Sequence, residues 1–177
     1  DDLTEGPIRR GEPGAALYPE VMNRSAAREM AMIDPAAVIV KGDLSQDGRA
    51  EEWAAFEACY RAPFGERLHV VRGNHDSYRH QAEYAGDQWI ELPGIAVALL
   101  DTAIPGATTG SISTEQFEWL DDHCSTTDRP VFVMGHHQQW IGHQGIGQGV
   151  EPKRSDDYFG LHPDASDALD DVAARHT

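Results

Sequence analysis

Cysteine is scarce in this chain of 177 residues: Cys59 and Cys124 are the only two. Their spacing fits neither a zinc site nor a disulfide framework. Both read as buried thiols in amphipathic helices, and the expectation is a reducing compartment, the cytoplasm. Positive charge is scarce as well. Fourteen Lys and Arg stand against thirty Asp and Glu, a net charge of −16. A surface of that sign repels a nucleic-acid backbone, which argues against a large DNA or RNA partner. No apolar run reaches the about eighteen residues of a membrane span, so no membrane partner is expected. The polar opening DDLTEGPIRR lacks the apolar core of a signal peptide. Internal repeats and low-complexity tracts are missing too. So is any Gly-x-Gly-x-x-Gly turn after a strand, which sets aside a Rossmann-like nucleotide binder.

What is present suits one globular domain over residues 1–177, with 40% apolar and 25% charged residues. Residues 17–33 carry Leu17, Val21, Met22, Met30 and Ile33 near helical spacing and predict a helix. AAVIV at 36–40, RLHVV at 67–71 and PVFVM at 130–134 are short apolar runs, each read as a buried strand. Residues 49–60 place Trp53, Phe56 and Tyr60 on one helical face. Residues 88–101 read as two strands joined at Pro93-Gly94. Ser113 and Gln116 form a capping-box pattern ahead of Phe117 and Leu120, and 164–176 reads as a last helix. The glycine-rich stretch 135–157 reads as a long loop. Strands alternating with helices predict a layered α/β domain with a largely parallel central sheet.

The three apolar runs end alike. AAVIV leads to Gly42-Asp43, RLHVV to Gly73-Asn74-His75-Asp76, and PVFVM to Gly135-His136-His137. Each is an apolar run, a glycine, then a side chain able to bind metal. Ligands of α/β sheets gather beyond the carboxyl ends of strands. If these strands are parallel neighbours, Asp43, Asn74 and His136 converge. A carboxylate can bridge two cations, and an amide oxygen and an imidazole complete the shell without adding charge. Such N and O donors suit Mn, Fe, Zn or Co better than Ca. Two such ions about 3.5–4 Å apart can clamp a phosphoryl group and acidify a water. His75 then stands where it can protonate a leaving oxygen, and Asp76 where it can hold the His75 tautomer. The plainer alternatives are a helix-capping role for Asp43 or Asp76 and a core histidine for His136. His137 reads as a substrate contact or a residue behind the ligands. Trp140 reads as lining the substrate mouth or anchoring a loop. His69 reads as structural, His143 as solvent-exposed and Asp101 as the start of a loop.

The ordered set Gly42-Asp43, Gly73-Asn74-His75-Asp76 and Gly135-His136-His137 resembles the calcineurin-like metallophosphoesterase superfamily, in particular its bacterial cyclic-nucleotide and glycerophosphodiester phosphodiesterase branch. The resemblance covers roughly residues 15–137. It implies an α/β/β/α sandwich with mixed central sheets, two metal ions, and a small phosphoester as substrate. It implies that a metal-bound hydroxide attacks phosphorus and that the protein can form a homodimer. Carried over residue by residue, Asp43 is the bridging metal ligand, Asn74 and His136 are ligands of the second metal, and His75 is the proton donor.

Two family motifs are not found in this sequence. Asp1 and Asp2 have no histidine two residues on, and His176 lies in no Gly-His-x-His. The expectation is therefore a fold incomplete at both ends. A phosphodiesterase is the first reading, and a degenerate, non-catalytic scaffold or interaction domain is its rival.

Overall fold

The computed structural model of this protein describes residues 18–139 and 160–176. Asp1, Asp2, Trp140 and His143 lie outside them, as does most of the glycine-rich stretch.

Helix α1 (Tyr18–Ile33) leads into β1 (Val38–Lys41). Helix α2 (Ala50–Phe56) starts where the Glu52 carboxylate accepts the backbone N–H groups of Asp47 and Arg49. It runs on through a π-helical turn, Glu57–Arg61, into a last short turn, α3 (Ala62–Phe64). Simple 3.6 periodicity does not anticipate the π turn. Pro63 offers no N–H, and the Ala62 N–H reaches back to the Glu57 carbonyl instead. Strand β2 (Leu68–Val71) and the single turn α4 (Asn74–Ser77) follow. Strands β3 (Gln88–Leu92) and β4 (Ile95–Leu100) form the hairpin, helix α5 (Thr114–Ser125) carries the Ser113–Gln116 capping box, and β5 (Val131–Gly135) and α6 (Pro163–Arg175) complete the order.

The strands do not join in one parallel sheet. Strands β1 and β2 pair in parallel as one sheet, while β3, β4 and β5 form a second, with β3 antiparallel and β5 parallel to β4. Period-2 alternation divides their side chains among three apolar layers. Val38, Leu68 and Val70 pack with Ala27, Phe56, Cys59 and Phe64 from the helices outside the first sheet. Val71, Ile90, Val97 and Leu99 fill the space between the sheets, with Ile39 and Met134 against them. Ala98 and Leu100 meet Leu120, Ala165 and Val172 outside the second sheet. The layering is α/β/β/α, a mixed α/β fold with helices outside two sheets.

Strand β5 is less buried than its composition predicts. Phe132 is 49% exposed and Val133 40% exposed. The strand pairs on one side only among the described residues, so its apolar side chains lack cover there. Cys59 is buried, Cys124 is half-buried, and both are free thiols. No described helix is long and apolar enough to cross a membrane.

Candidate metal centre

Two sheets, not one, bring the three strand ends together. Beyond β1 the chain turns through Gly42 and Asp43, both in the left-handed region with φ of 87° and 53°. A non-glycine residue there costs about 1 kcal/mol, and Asp tolerates it better than most. The turn aims the Asp43 carboxylate at the end of β2, where Oδ1 accepts the His75 N–H at 3.1 Å. A Cβ on Gly73 would overlap the Asp43 carboxylate and lie 2.9 Å from His136 Cε1, and a Cβ on Gly42 would lie 2.7 Å from His136 Nδ1. Both glycines are needed for this close approach.

His136 leaves β5 and crosses to the first sheet. Its Nδ1–H donates to the Lys41 carbonyl at 2.7 Å. That bond puts a hydrogen on Nδ1 and turns Nε2 toward the other two side chains. Nε2 lies 2.9 Å from Asn74 Oδ1 and 3.4 Å from Asp43 Oδ1. The Asn74 amide is oriented from its other end, where Nδ2 donates to the Tyr78 hydroxyl at 2.8 Å. Asp43 Oδ1, Asn74 Oδ1 and His136 Nε2 are thus gathered at one point, and this mixed O and N set is one that could hold a transition-metal ion. No trio of His, Cys, Asp and Glu gathers among the described residues.

His75 lies at the rim with its ring 4.8 Å from that of Tyr78. Its Nδ1 meets the Gln46 carbonyl at 2.9 Å, with the Gln46 amide nitrogen at 3.3 Å.

Asp76 does not hold the His75 tautomer, contrary to expectation. Its fully buried carboxylate accepts from Ser45 N and Ser45 Oγ on Oδ1, and from Leu44 N and Gly73 N on Oδ2. Those four bonds use all four lone-pair sites. Asp76 instead clamps the loop after β1 to the turn after β2.

His137 does not face a substrate either. It is 6% exposed, behind His136, with the two rings at 87°. The Thr102 hydroxyl donates to its Nδ1 at 2.8 Å and accepts the His137 N–H. Burial, with the neighbouring His136 adding to it and the Thr108 backbone opposing, pulls the imidazole down to about 4. It stays neutral at pH 7. His176 is held by Asp121 on α5 at 2.9 Å.

Sequence reading passed over three supporting residues, Tyr78, Gln46 and Arg72, and took a fourth, Asp101, only as the start of a loop. Tyr78 and Gln46 orient Asn74 and His75. Arg72 donates its guanidinium to Asp101 at 2.9 Å and to the Gln81 carbonyl at 2.8 Å, in a pair 11% and 8% exposed. Asp101 also accepts the N–H groups of Gly86 and Ala103, so it ties the end of β4 to the end of β2. The one signal for that pair is an Arg and an Asp each directly after an apolar strand.

A model described as calcineurin-like phosphoesterase matches residues 19–165. The chain is also similar to three bacterial proteins. A 3',5'-cyclic adenosine monophosphate phosphodiesterase of Pseudomonas aeruginosa is 32% identical over 117 residues, 63% of this chain and 42% of that protein. A protein of Arcobacter nitrofigilis named as a probable glycerophosphodiester phosphodiesterase is 28% identical over 118 residues, 58% of this chain and 42% of its own length. A cAMP/cGMP dual specificity phosphodiesterase of Mycobacterium tuberculosis is 26% identical over 131 residues, 66% and 39% of the two chains. The chain spans about half the length of these curated relatives, or less.

Proposed function

Because this chain belongs to the calcineurin-like phosphoesterase family, we propose that it is the phosphodiesterase domain of a metal-dependent hydrolase acting on small phosphodiesters. The observation that carries the reading is the meeting of Asp43 Oδ1, Asn74 Oδ1 and His136 Nε2 at three strand ends. Asp43, Asn74 and His136 are the residues that would hold the metal. When bound, a pair of divalent cations supplies the charge that attracts the phosphate and the acidity that makes a hydroxide nucleophile available near neutral pH. Mn, Fe, Zn and Co all suit such donors.

The remaining steps belong to this chain's own side chains. His75 is the residue placed to donate a proton to the leaving alcohol oxygen, with Nδ1 anchored on the Gln46 carbonyl. Asp76 holds the Asp43 loop and the Asn74 turn in register. Tyr78 keeps the Asn74 oxygen pointed inward. The whole chain, residues 1–177, is read as one domain serving this site.

Hydrolysis of bis(p-nitrophenyl) phosphate with added Mn²⁺ tests the reading. The wild-type protein is expected to release p-nitrophenol, and Asn74→Ala and His75→Ala to abolish or sharply reduce release. No release from metal-loaded wild-type protein would favour the non-catalytic scaffold.

A further inference from the structure

A cavity of about 450 Å³ opens beside the candidate centre on its His75 side. Asp43 and His75 form one wall. Leu44, Ala55, Phe56 and Tyr60 supply carbon surface on the others. The polar lining is acidic. Glu20 and Glu52 both border the space, and among the described residues no Lys or Arg does. Arg24 partly offsets Glu20 from outside the cavity, at 2.8 Å. The hydrogen bonds that Glu52 accepts come from neutral backbone N–H groups of Asp47 and Arg49, so its charge has no cationic partner among them.

We propose that this cavity seats the leaving alcohol, and that it selects an uncharged or amine-bearing organic group and rejects an anionic one. The proposal rests on the phosphodiesterase reading, since that reading places the scissile oxygen beside His75. A phosphoryl group at Asp43, Asn74 and His136 has its ester arm within reach of the cavity wall that His75 helps to form. An aromatic or alkyl arm loses water against Phe56 and Tyr60. A second carboxylate or phosphate on that arm meets Glu20 and Glu52 with no Lys or Arg among the described lining residues, and like charges disfavour it. An ammonium group there meets attraction instead.

Two phenols with opposite tails test this without relying on turnover. Dissociation constants for tyramine and 4-hydroxyphenylacetate are read by ligand-observed NMR on the Mn-free protein, in about 0.15 M salt, where diffuse attraction to the acidic surface is screened. Tyramine is expected to bind about fivefold more tightly than the acid. Ala55→Trp, which fills the cavity from an exposed helical position, is expected to remove tyramine binding. Glu52→Gln, which keeps the accepting oxygen and removes the charge, is expected to narrow the preference. Equal binding of the two phenols, or tyramine binding unchanged in Ala55→Trp, overturns the proposal. The bis(p-nitrophenyl) phosphate assay is run alongside. Selective, Ala55-dependent binding without hydrolysis sinks the phosphodiesterase reading and leaves a cation-selective cavity. Hydrolysis without selective binding sinks the cavity assignment and leaves the enzyme.

Discussion

Asn74 Oδ1 and His136 Nε2 stand 2.9 Å apart, with Tyr78 orienting the amide from behind and the Lys41 carbonyl orienting the imidazole. Two metal-capable groups from different sheets are thus held face to face. A bound cation would make them a ligand pair.

Removing the hydrogen bond that orients the amide should weaken the centre without dismantling it. Tyr78→Phe is expected to lower metal affinity about tenfold, within the range for groups that orient a ligand. Isothermal titration with Mn²⁺ checks this. An unchanged affinity would mean that Asn74 is oriented by something other than Tyr78.

His75 should separate binding from chemistry. His75→Ala is expected to retain metal and to reduce turnover of bis(p-nitrophenyl) phosphate by about 10²–10⁴, the usual contribution of a general acid. Loss of metal in this variant would make His75 a ligand instead.

Asp76 should matter to stability before it matters to catalysis. Asp76→Ala leaves three backbone N–H groups and the Ser45 hydroxyl without their acceptor. A loss of about 3 kcal/mol in urea unfolding is expected. A change near zero would show that water replaces the carboxylate there.

His137 should make the metal-free fold sensitive to acid. Its imidazole is held down at about 4 in the folded protein, from an ordinary value of 6.5. The unfolded chain therefore binds the proton first. Stability from this group is full above about pH 6.5, falls as pH drops toward 4, and levels off below. The loss is on the order of 3 kcal/mol. The urea midpoint, measured in chelator, should fall further between pH 7 and pH 4.5 in the wild type than in His137→Gln. Equal falls would remove His137 as the cause.

Much of this was legible along the chain, for reasons that differ by residue. Apolar runs bounded by glycine announce strands, because few other local structures bury five such residues in a row. Ser113 and Gln116 announce the start of α5, because a cap is a local hydrogen-bond pattern. The division into two sheets was not legible in the residue pattern, which predicted one largely parallel sheet, and came only from the family resemblance. Pairing partners are chosen by side-chain faces far apart in sequence, such as Val71 against Leu99. The turn at Gly73-Asn74-His75-Asp76 stood out as a site from its residue types alone. The work done there by Asp76 did not, since its four donors come from Leu44, Ser45 and Gly73 and no spacing rule links them. Tyr78 and Gln46 escaped for a similar reason: a tyrosine and a glutamine in loops carry no signal until a metal-capable side chain is found against them.

The central claim is that Asp43, Asn74 and His136 together hold metal. Elemental mass spectrometry of protein purified without chelator measures this directly, on the wild type, Asn74→Ala and His136→Ala. The account predicts transition metal retained by the wild-type chain and lost from both variants while their fold persists by circular dichroism. Equal metal in all three, or none in the wild type even after Mn²⁺ is supplied, would contradict it.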